Sequence, residues 1–521
     1  MAERRRSDEF EGQRMTDTTI PSDIDVDLLV IGGGVNGTGI ARDAAGRGLS
    51  VMLVERDDLA SHTSSSSTKL IHGGLRYLEY HEFRLVREAL AEREKLIDLA
   101  PHLISPMRFV MPLAPGMRPA WLIRMGLFLY DHIGGRTRLP KSIGVRLDKT
   151  RWGAGLKPIR HGFVYSDGWV DDARLVVLNA LDAAERGAQI RTHTSFEGAR
   201  RESDRWVATL GDGSTVTARA IANTSGPWVS KVLAEMPEAH AESPPRLVKG
   251  SHIIVAKLFE GEHAYILQNP DKRIIFAIPY EGEFTLIGTT DKPYEGDPAH
   301  PTIDPDETEY LCDSVNRYFT RQIRAGDVVG SYSGVRPLFD DGNENASEVT
   351  RDYVLRLGAQ EAPQILSAFG GKITTYRRLA EHALEDLAPF LPTMTKPWTA
   401  DLPLPGGDLP NADFAEFLKS VCAHWPFLDA ANATRMAHAY GTRIDRVLGE
   451  STSLDDLGHG LSTREIDYLV DEEWAQTAED ILWRRTKLGL HGGETLTAAV
   501  EAYLAGRTAQ SLPADPASKR R

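Results

Sequence analysis

At 521 residues the chain exceeds what one hydrophobic core supports, so two or three structural units are expected. Its 41% hydrophobic and 26% charged content is that of a globular protein, and a net charge of −14 argues against nucleic acid as a partner. Cys312 and Cys422 are the only cysteines, so neither a disulfide framework nor a cysteine metal site is expected, and a reducing compartment follows.

Residues 1–24 are polar, lack the apolar core of a secretory signal, and read as a disordered leader. From Val26 the run VDLLVI reads as a buried parallel strand. It enters Gly32-x-Gly34-x-x-Gly37, and Ile40, Ala41, Ala44 and Ala45 follow at helical spacing. SVMLVE forms a second strand ending at Glu55. This is a βαβ unit that binds a dinucleotide. Gly32 permits the tight turn, Gly34 admits a pyrophosphate, and Gly37 lets helix and strand pack closely. The helix N-terminus offers free N–H groups to phosphate oxygens. Glu55 is placed to accept hydrogen bonds from a ribose and would repel a 2′-phosphate. Asn36, inside the turn, is counted with these cofactor contacts.

The glycine pattern does not separate NAD from FAD. The next segment, DLASHTSSSSTKLIHGGLRYLE, does. An NAD domain resumes its strand–helix alternation there. Here Thr63, Ser64, Ser65, Ser67 and Thr68, followed by Lys69, offer hydroxyls and backbone N–H groups to a pyrophosphate and a flavin ring. Composition alone also fits a flexible serine-rich linker. The KLIHGGLRYLE that follows mixes apolar residues, glycine, histidine and arginine as a packed site does. Noncovalent FAD is the expected cofactor.

TSSSSTKLIHGGLRYLEYHEFRLVREALAERE closely resembles the FAD-dependent glycerol-3-phosphate dehydrogenases of the respiratory type. The resemblance continues in DGWVDDARLVVLNALDAAERGA, IANTSGPWV, KGSHIIV, FAIPYEGEFTLIGTTD, YSGVRPL and AFGGKITTYRRLAE. It is dense over roughly residues 25–395 and looser beyond. It implies an α/β fold: a Rossmann-like FAD domain of the glutathione-reductase type with an interleaved mixed-sheet substrate domain (25–395), then a helical C-terminal domain (396–510) and a disordered tail (511–521). It implies oxidation of sn-glycerol 3-phosphate to dihydroxyacetone phosphate, with hydride passing from C2 to flavin N5 and electrons continuing to a membrane quinone. It also implies a homodimer attached peripherally to the cytoplasmic face of the inner membrane.

This chemistry needs cations for a phosphate dianion and an acceptor for a hydroxyl proton. Matched residue by residue, Arg76, Tyr77, Arg336 and Lys372 are the substrate-contacting positions, and Arg336 and Lys372 are also catalytic candidates. How Arg76, Arg336 and Lys372 divide the phosphate and the reacting hydroxyl stays open. His72 is the first candidate for proton acceptor, and His252, in KGSHIIV, is the second and a substrate contact. A water or an arginine-bound hydroxide also remains. Gly371, Lys372 and Thr374 are expected beside the flavin pyrimidine ring. Gly226 is expected near the cofactor, and Trp228 fits either packing or contact. No metal motif is present.

RPAWLIRMGLFLYDHIGGRTRLPKSIGVR is the one basic, apolar stretch. Trp121, Leu122, Met125, Phe128 and Leu129 recur at helical spacing among Arg118, Arg124, Arg136, Arg138 and Lys141. An interfacial helix and a core helix with a polar edge both fit, and the resemblance favours the membrane surface. RIIFAIPYEGEFTLIGTT reads as a hairpin. After the Pro/Gly-rich DLPLPGGDLPNAD, helical patterns dominate and read as a structural, lid or dimer-contact region. Two alternatives stay open: an oxidase that passes electrons from the same substrate to oxygen, and an amine or amino-acid oxidase on the same cofactor fold.

Overall fold

The computed structural model describes residues 24–114, 118–236, 244–339, 352–358 and 363–511. Most of the expected leader and tail lie outside these; Ile24 already belongs to the first strand, and Ser511 closes the last helix.

The first strand, Ile24–Ile31, is apolar and buried from Leu28 onward because both its faces are covered there, while Asp25 is exposed and Asp27 half-buried near its start. Leu28 and Val30 pack on one side with Ile40, Ala44, Val176, Ala180 and Leu384. Leu29 and Ile31 pack on the other with Trp206, Ala208 and Ile221. The period of two distributes one continuous run between two cores. The strand pairs in parallel with Val51–Val54 and Thr215–Asn223, and the order across the sheet is 354–357, 364–369, 215–223, 24–31, 51–54, 189–191. A hairpin, Phe196–Glu202 with Arg205–Leu210, extends it along 215–223. Helix α1 (Val35–Gly46) follows the glycine turn.

Helix α2 (Phe83–Leu99) and helix α3 (Ala120–Ile133) belong to a second layer built on a ten-stranded mixed sheet. Its long ladder joins Arg246–Ala256 to Val328–Leu338, and the expected hairpin forms between Ile274–Tyr280 and Phe284–Gly288. One parallel pairing, Ala264–Gln268 on Ile104–Pro112, makes the sheet mixed. Helix α4 (Asp172–Glu185) returns the chain to the first sheet, where it packs beside α1 and helix Tyr376–Leu387.

The C-terminal region is helical as expected: Phe414–His424, Ala430–Tyr440, Thr463–Glu473 and Gly489–Ser511 surround Trp425, Met436, Tyr440, Ile466, Leu469 and Leu482. Asp480–Arg485 winds as a π turn, with the Thr486 N–H donating to the Ile481 carbonyl at 3.0 Å. This turn aims Arg484 and Arg485 at one carboxylate, Asp58, in the segment between Glu55 and the serine run. Arg174, on α4, pairs with the buried Glu473, and Lys487 reaches Asp171 at 3.3 Å. A row of buried ion pairs thus joins this region to the loops that follow the dinucleotide turn. No helix among the described residues is long and apolar enough to cross a membrane.

Candidate active site

The C-terminal ends of strands 24–31, 51–54, 215–223 and 364–369 open on one cavity of about 1680 Å³ that reaches across to the mixed sheet. Open parallel sheets bind ligands at this edge. The volume exceeds the roughly 300–1,000 Å³ of an ordinary small-molecule pocket.

The glycine turn is as tight as its spacing requires. Gly32 has φ +108°, which favours glycine. A Cβ on Gly37 would stand 1.9 Å from the Gly32 carbonyl oxygen and 2.6 Å from the Thr224 hydroxyl. Gly32, Gly34 and Asn36 line the cavity. The Val35 N–H, at the α1 N-terminus, donates to Ser64 Oγ at 3.0 Å, so a hydroxyl stands where an anion oxygen binds. Glu55 lines the wall and accepts from the Gly33 N–H at 2.6 Å and the Asp57 N–H at 3.0 Å. Burial raises its pKa, and these two donors oppose the rise. Asn36 Nδ2 donates to the Gly370 carbonyl at 3.1 Å, which ties the turn to GGK, while its Oδ1 is buried with no partner among the described residues. Gly226, with φ +58°, and Gly371, with φ +102°, complete the cradle.

Arg76, Tyr77, Arg336, Lys372 and His72 line the same cavity. Leu75–Tyr80 is a 3₁₀ turn that presents Arg76 and Tyr77. Lys372 Nζ lies 3.8 Å from the centre of the Tyr77 ring. Arg336 pairs with Asp291, a carboxylate that the sequence reading missed. The Arg336 guanidinium passes where Gly250 has no side chain, since a Cβ there would stand 2.7 Å from Nη2. The KGSH glycine was the available signal. His72 is half-buried; burial, and then Lys372 and Arg93, lower its pKa to about 4 and keep the imidazole neutral at pH 7, the form that accepts a proton. Thr374 Oγ1 accepts from its backbone N–H at 3.2 Å.

Thr63, Ser64, Ser67 and Thr68 face the cavity. Four other expected contacts stand one layer back. Ser65 Oγ turns to the His62 carbonyl at 3.2 Å. Lys69 is buried, with Nζ 2.6 Å from Asp172 and 3.0 Å from the Ser65 carbonyl. Thr374 is buried as the tether of His72. His252, expected beside the substrate, is buried behind the wall, 3.0 Å from the Thr68 hydroxyl and stacked on Tyr332. Burial pushes its pKa well down, so it is a neutral buttress of Thr68. Trp228, left between packing and contact, lines the cavity with the Arg56 guanidinium 4.0 Å above its ring. Among the described residues, Glu55, Asp57 and His62 lie close enough to hold a metal, but His62 Nε2 donates to the Asp57 carboxylate at 2.9 Å and Glu55 is engaged by the turn.

The FAD dependent oxidoreductase family matches residues 27–377, which is more than half the chain. The chain belongs to that family. The C-terminal domain of alpha-glycerophosphate oxidase matches residues 397–509. A glycerol-3-phosphate dehydrogenase of Pseudomonas aeruginosa is 54% identical over 89% of this chain and 92% of its own length. A D-erythritol 1-phosphate dehydrogenase of Brucella abortus is 52% identical over 91% and 96%. Among solved structures, the glycerol-3-phosphate dehydrogenase of Bacillus halodurans complexed with FAD has a TM-score of 0.74 at 28% identity and covers 93% of this chain and 91% of that one.

FAD is therefore the cofactor of this oxidoreductase, and the cradle fits it: a bare glycine edge, a helix N–H engaged by a hydroxyl, and the Asn36 Oδ1 without a partner among the described residues. The glycine turn, Glu55 and the inward hydroxyls of the serine run are the residues that would hold it. Gly37→Ala is expected to purify colourless, because a methyl 1.9 Å from a backbone oxygen forces α1 off its strand. The ratio of flavin absorbance to protein absorbance checks this; a yellow variant with full flavin content contradicts the packing.

Proposed function

We propose that the protein oxidises sn-glycerol 3-phosphate to dihydroxyacetone phosphate. The observation that carries the reading is the convergence of Arg76, Arg336 and Lys372 on the cavity that carries the dinucleotide turn. Three cations around one cleft recognise a phosphate dianion, and arginine adds planar bidentate geometry. Neutral His72, pinned by Thr374, is the acceptor for the substrate hydroxyl proton. FAD, when bound, supplies the hydride acceptor. Asp291 holds Arg336 in place before substrate arrives. Oxidation of an amino acid fits less well, because one carboxylate needs fewer cations than a dianion.

The 52% identity to a D-erythritol 1-phosphate dehydrogenase supports a second reading, a longer polyol phosphate in the same site. Both substrates carry the phosphate that the three cations recognise.

A membrane quinone is the proposed electron acceptor, reached on the cytoplasmic face. Trp121, Met125 and Phe128 on α3 are 68%, 49% and 55% exposed, far above what a core helix shows. Leu122, Met125 and Leu129 of the same helix also line the cavity, which gives an apolar path from the cleft to the outer face of α3. Arg118, Arg124, Arg136, Arg138 and Lys141 lie within or near this helix in sequence, a basic composition that suits anionic headgroups.

Anaerobic titration of the yellow protein is expected to bleach the flavin with sn-glycerol 3-phosphate and not with glycerol or a 2-amino acid. Arg336→Ala is expected to lower kcat/KM on the order of 100-fold, the loss of a charge-assisted contact of about 2.7 kcal/mol. A flavin that D-erythritol 1-phosphate alone bleaches would establish the second reading; a flavin that neither ester reduces would refute both. Rapid reoxidation by oxygen but not by a quinone analogue would make the enzyme an oxidase.

For the surface, the protein is expected to float with phosphatidylglycerol vesicles, and Trp121→Ser/Phe128→Ser is expected to remain in the dense fraction. A wild-type protein that does not float would contradict a lipid-facing α3.

A further inference from the structure

We propose that Tyr130 is a positioning residue through which α3 fixes the substrate-facing loop His72–Tyr77. The inference deepens the phosphate-ester reading, since it assumes that this loop meets the substrate.

Helix α3 has two faces. Trp121, Met125 and Phe128 point outward, while Ile123, Leu127 and Tyr130 are buried. The Tyr130 hydroxyl is the one side-chain hydrogen-bonding group on the buried face, and it does not serve its own helix. It accepts from the Gly73 N–H at 2.7 Å and donates to the Asp167 carboxylate, 2.8 Å from both oxygens. Asp167 belongs to strand His161–Val170 and is held by Arg93 of α2 at 2.7 Å. Arg93 is steadied by the Ser166 carbonyl at 3.1 Å and by Glu94 at 2.7 Å. Tyr130, Asp167 and Arg93 are 3%, 2% and 5% exposed, so water competes for none of these bonds.

The group at the end of this chain is a backbone N–H within the active-site loop. Gly73 lies between His72 and Gly74, whose φ of +75° starts the 3₁₀ turn that presents Arg76 and Tyr77. Thr374 Oγ1 accepts from the His72 N–H. Two hydrogen bonds from different elements therefore set the level of the His72–Gly73 peptide: its N–H donates to Tyr130, and its carbonyl accepts from Thr374 Oγ1 at 3.3 Å. The loop also has no slack toward the helices. A Cβ on Gly73 would stand 2.5 Å from Leu90 Cδ2 and 2.8 Å from the Tyr130 hydroxyl, and one on Gly134, at the end of α3, would stand 2.6 Å from Leu90 Cβ. Loop, α2 and α3 are in mutual contact at glycines, so a shift of α3 along its axis displaces Gly73. A buried tyrosine that served only to fill space would need none of these polar partners, and phenylalanine would fill the same volume. The hydroxyl is present because the Gly73 N–H requires an acceptor and Asp167 a donor.

Tyr130→Phe tests this in the holoenzyme, with Asp167→Asn as a second variant that keeps the tyrosine and an acceptor for it. Hydrogen exchange of the amides in residues 72–77 gives a readout independent of substrate. Tyr130→Phe is expected to speed it about tenfold, a loss of about 1.4 kcal/mol, while residues 365–369 stay unchanged. Stopped-flow reduction by sn-glycerol 3-phosphate is expected to show an apparent Kd raised several-fold, with a limiting rate changed by less and full flavin content. Asp167→Asn is expected to move both quantities the same way by a smaller factor. Unchanged loop exchange in both variants would overturn the proposal, even if the melting temperature fell. Faster exchange with a wild-type apparent Kd would also overturn it, because the loop would then not position the substrate. If no phosphate ester reduces the wild type, the functional reading fails, and the exchange result alone decides whether Tyr130 holds the loop.

Discussion

The architecture of the cofactor edge depends on one buried carboxylate. Asp172 opens α4, is fully buried, and collects four donors: the Ser67 N–H at 3.1 Å, the Ser67 hydroxyl at 2.7 Å, Lys69 Nζ at 2.6 Å and the Ala173 N–H at 2.9 Å. These bonds hold the serine run against the glycine turn, with Thr63, Ser64, Ser66, Ser67 and Thr68 on the cavity wall. Lys69 follows the run at φ +59°, a left-handed conformation that a non-glycine residue adopts only when its surroundings hold it there. Breaking a buried pair of this kind costs about 3–5 kcal/mol, because the remaining charge stays buried without its partner. The Ser67 carbonyl, in turn, accepts from Tyr332 at 2.8 Å, which attaches the mixed sheet to the same loop.

The C-terminal region acts on this edge from behind. Lys487 reaches Asp171, the neighbour of Asp172, and the π turn presents Arg484 and Arg485 to Asp58 on the other side of the serine run. A π turn widens the helix by one residue and so brings adjacent side chains toward one point. A region with no described residue on the cavity wall thereby braces both ends of the serine run. The loop that carries His72 and Gly73 is braced similarly, by Thr374 and Tyr130.

What was legible in the sequence was local. The βαβ unit is written in strand periodicity, glycine spacing and one carboxylate, all within about thirty residues, and it folds as read. The hairpin 274–288 and the C-terminal helices are equally local. The serine run does line the cavity, but which of its side chains face inward was not legible. Ser65, Lys69 and His252 carry the right chemistry for ligand contact, yet Asp172, the His62 carbonyl and Thr68 claim them first. Asp172, Tyr130 and Asp167 were invisible because each acts across tens of residues: Tyr130 is 57 positions from Gly73, and Asp172 is 105 from Ser67. A buried acid also reads as a surface charge until the fold shows what surrounds it. For α3, amphipathic spacing fitted both an interfacial helix and a core helix with a polar edge; in the structure Trp121 is exposed and Tyr130 buried.

The most direct test of this account is the dissociation constant of FAD for Asp172→Asn, measured by flavin fluorescence on reconstituting the apoprotein. The change keeps side-chain volume but leaves Lys69 buried without its counter-charge. A constant raised on the order of 100-fold, with the circular dichroism of the apoprotein unchanged, is the result the account predicts. A wild-type constant in a folded variant would contradict it, and the serine run would then hold its shape without the carboxylate beneath it.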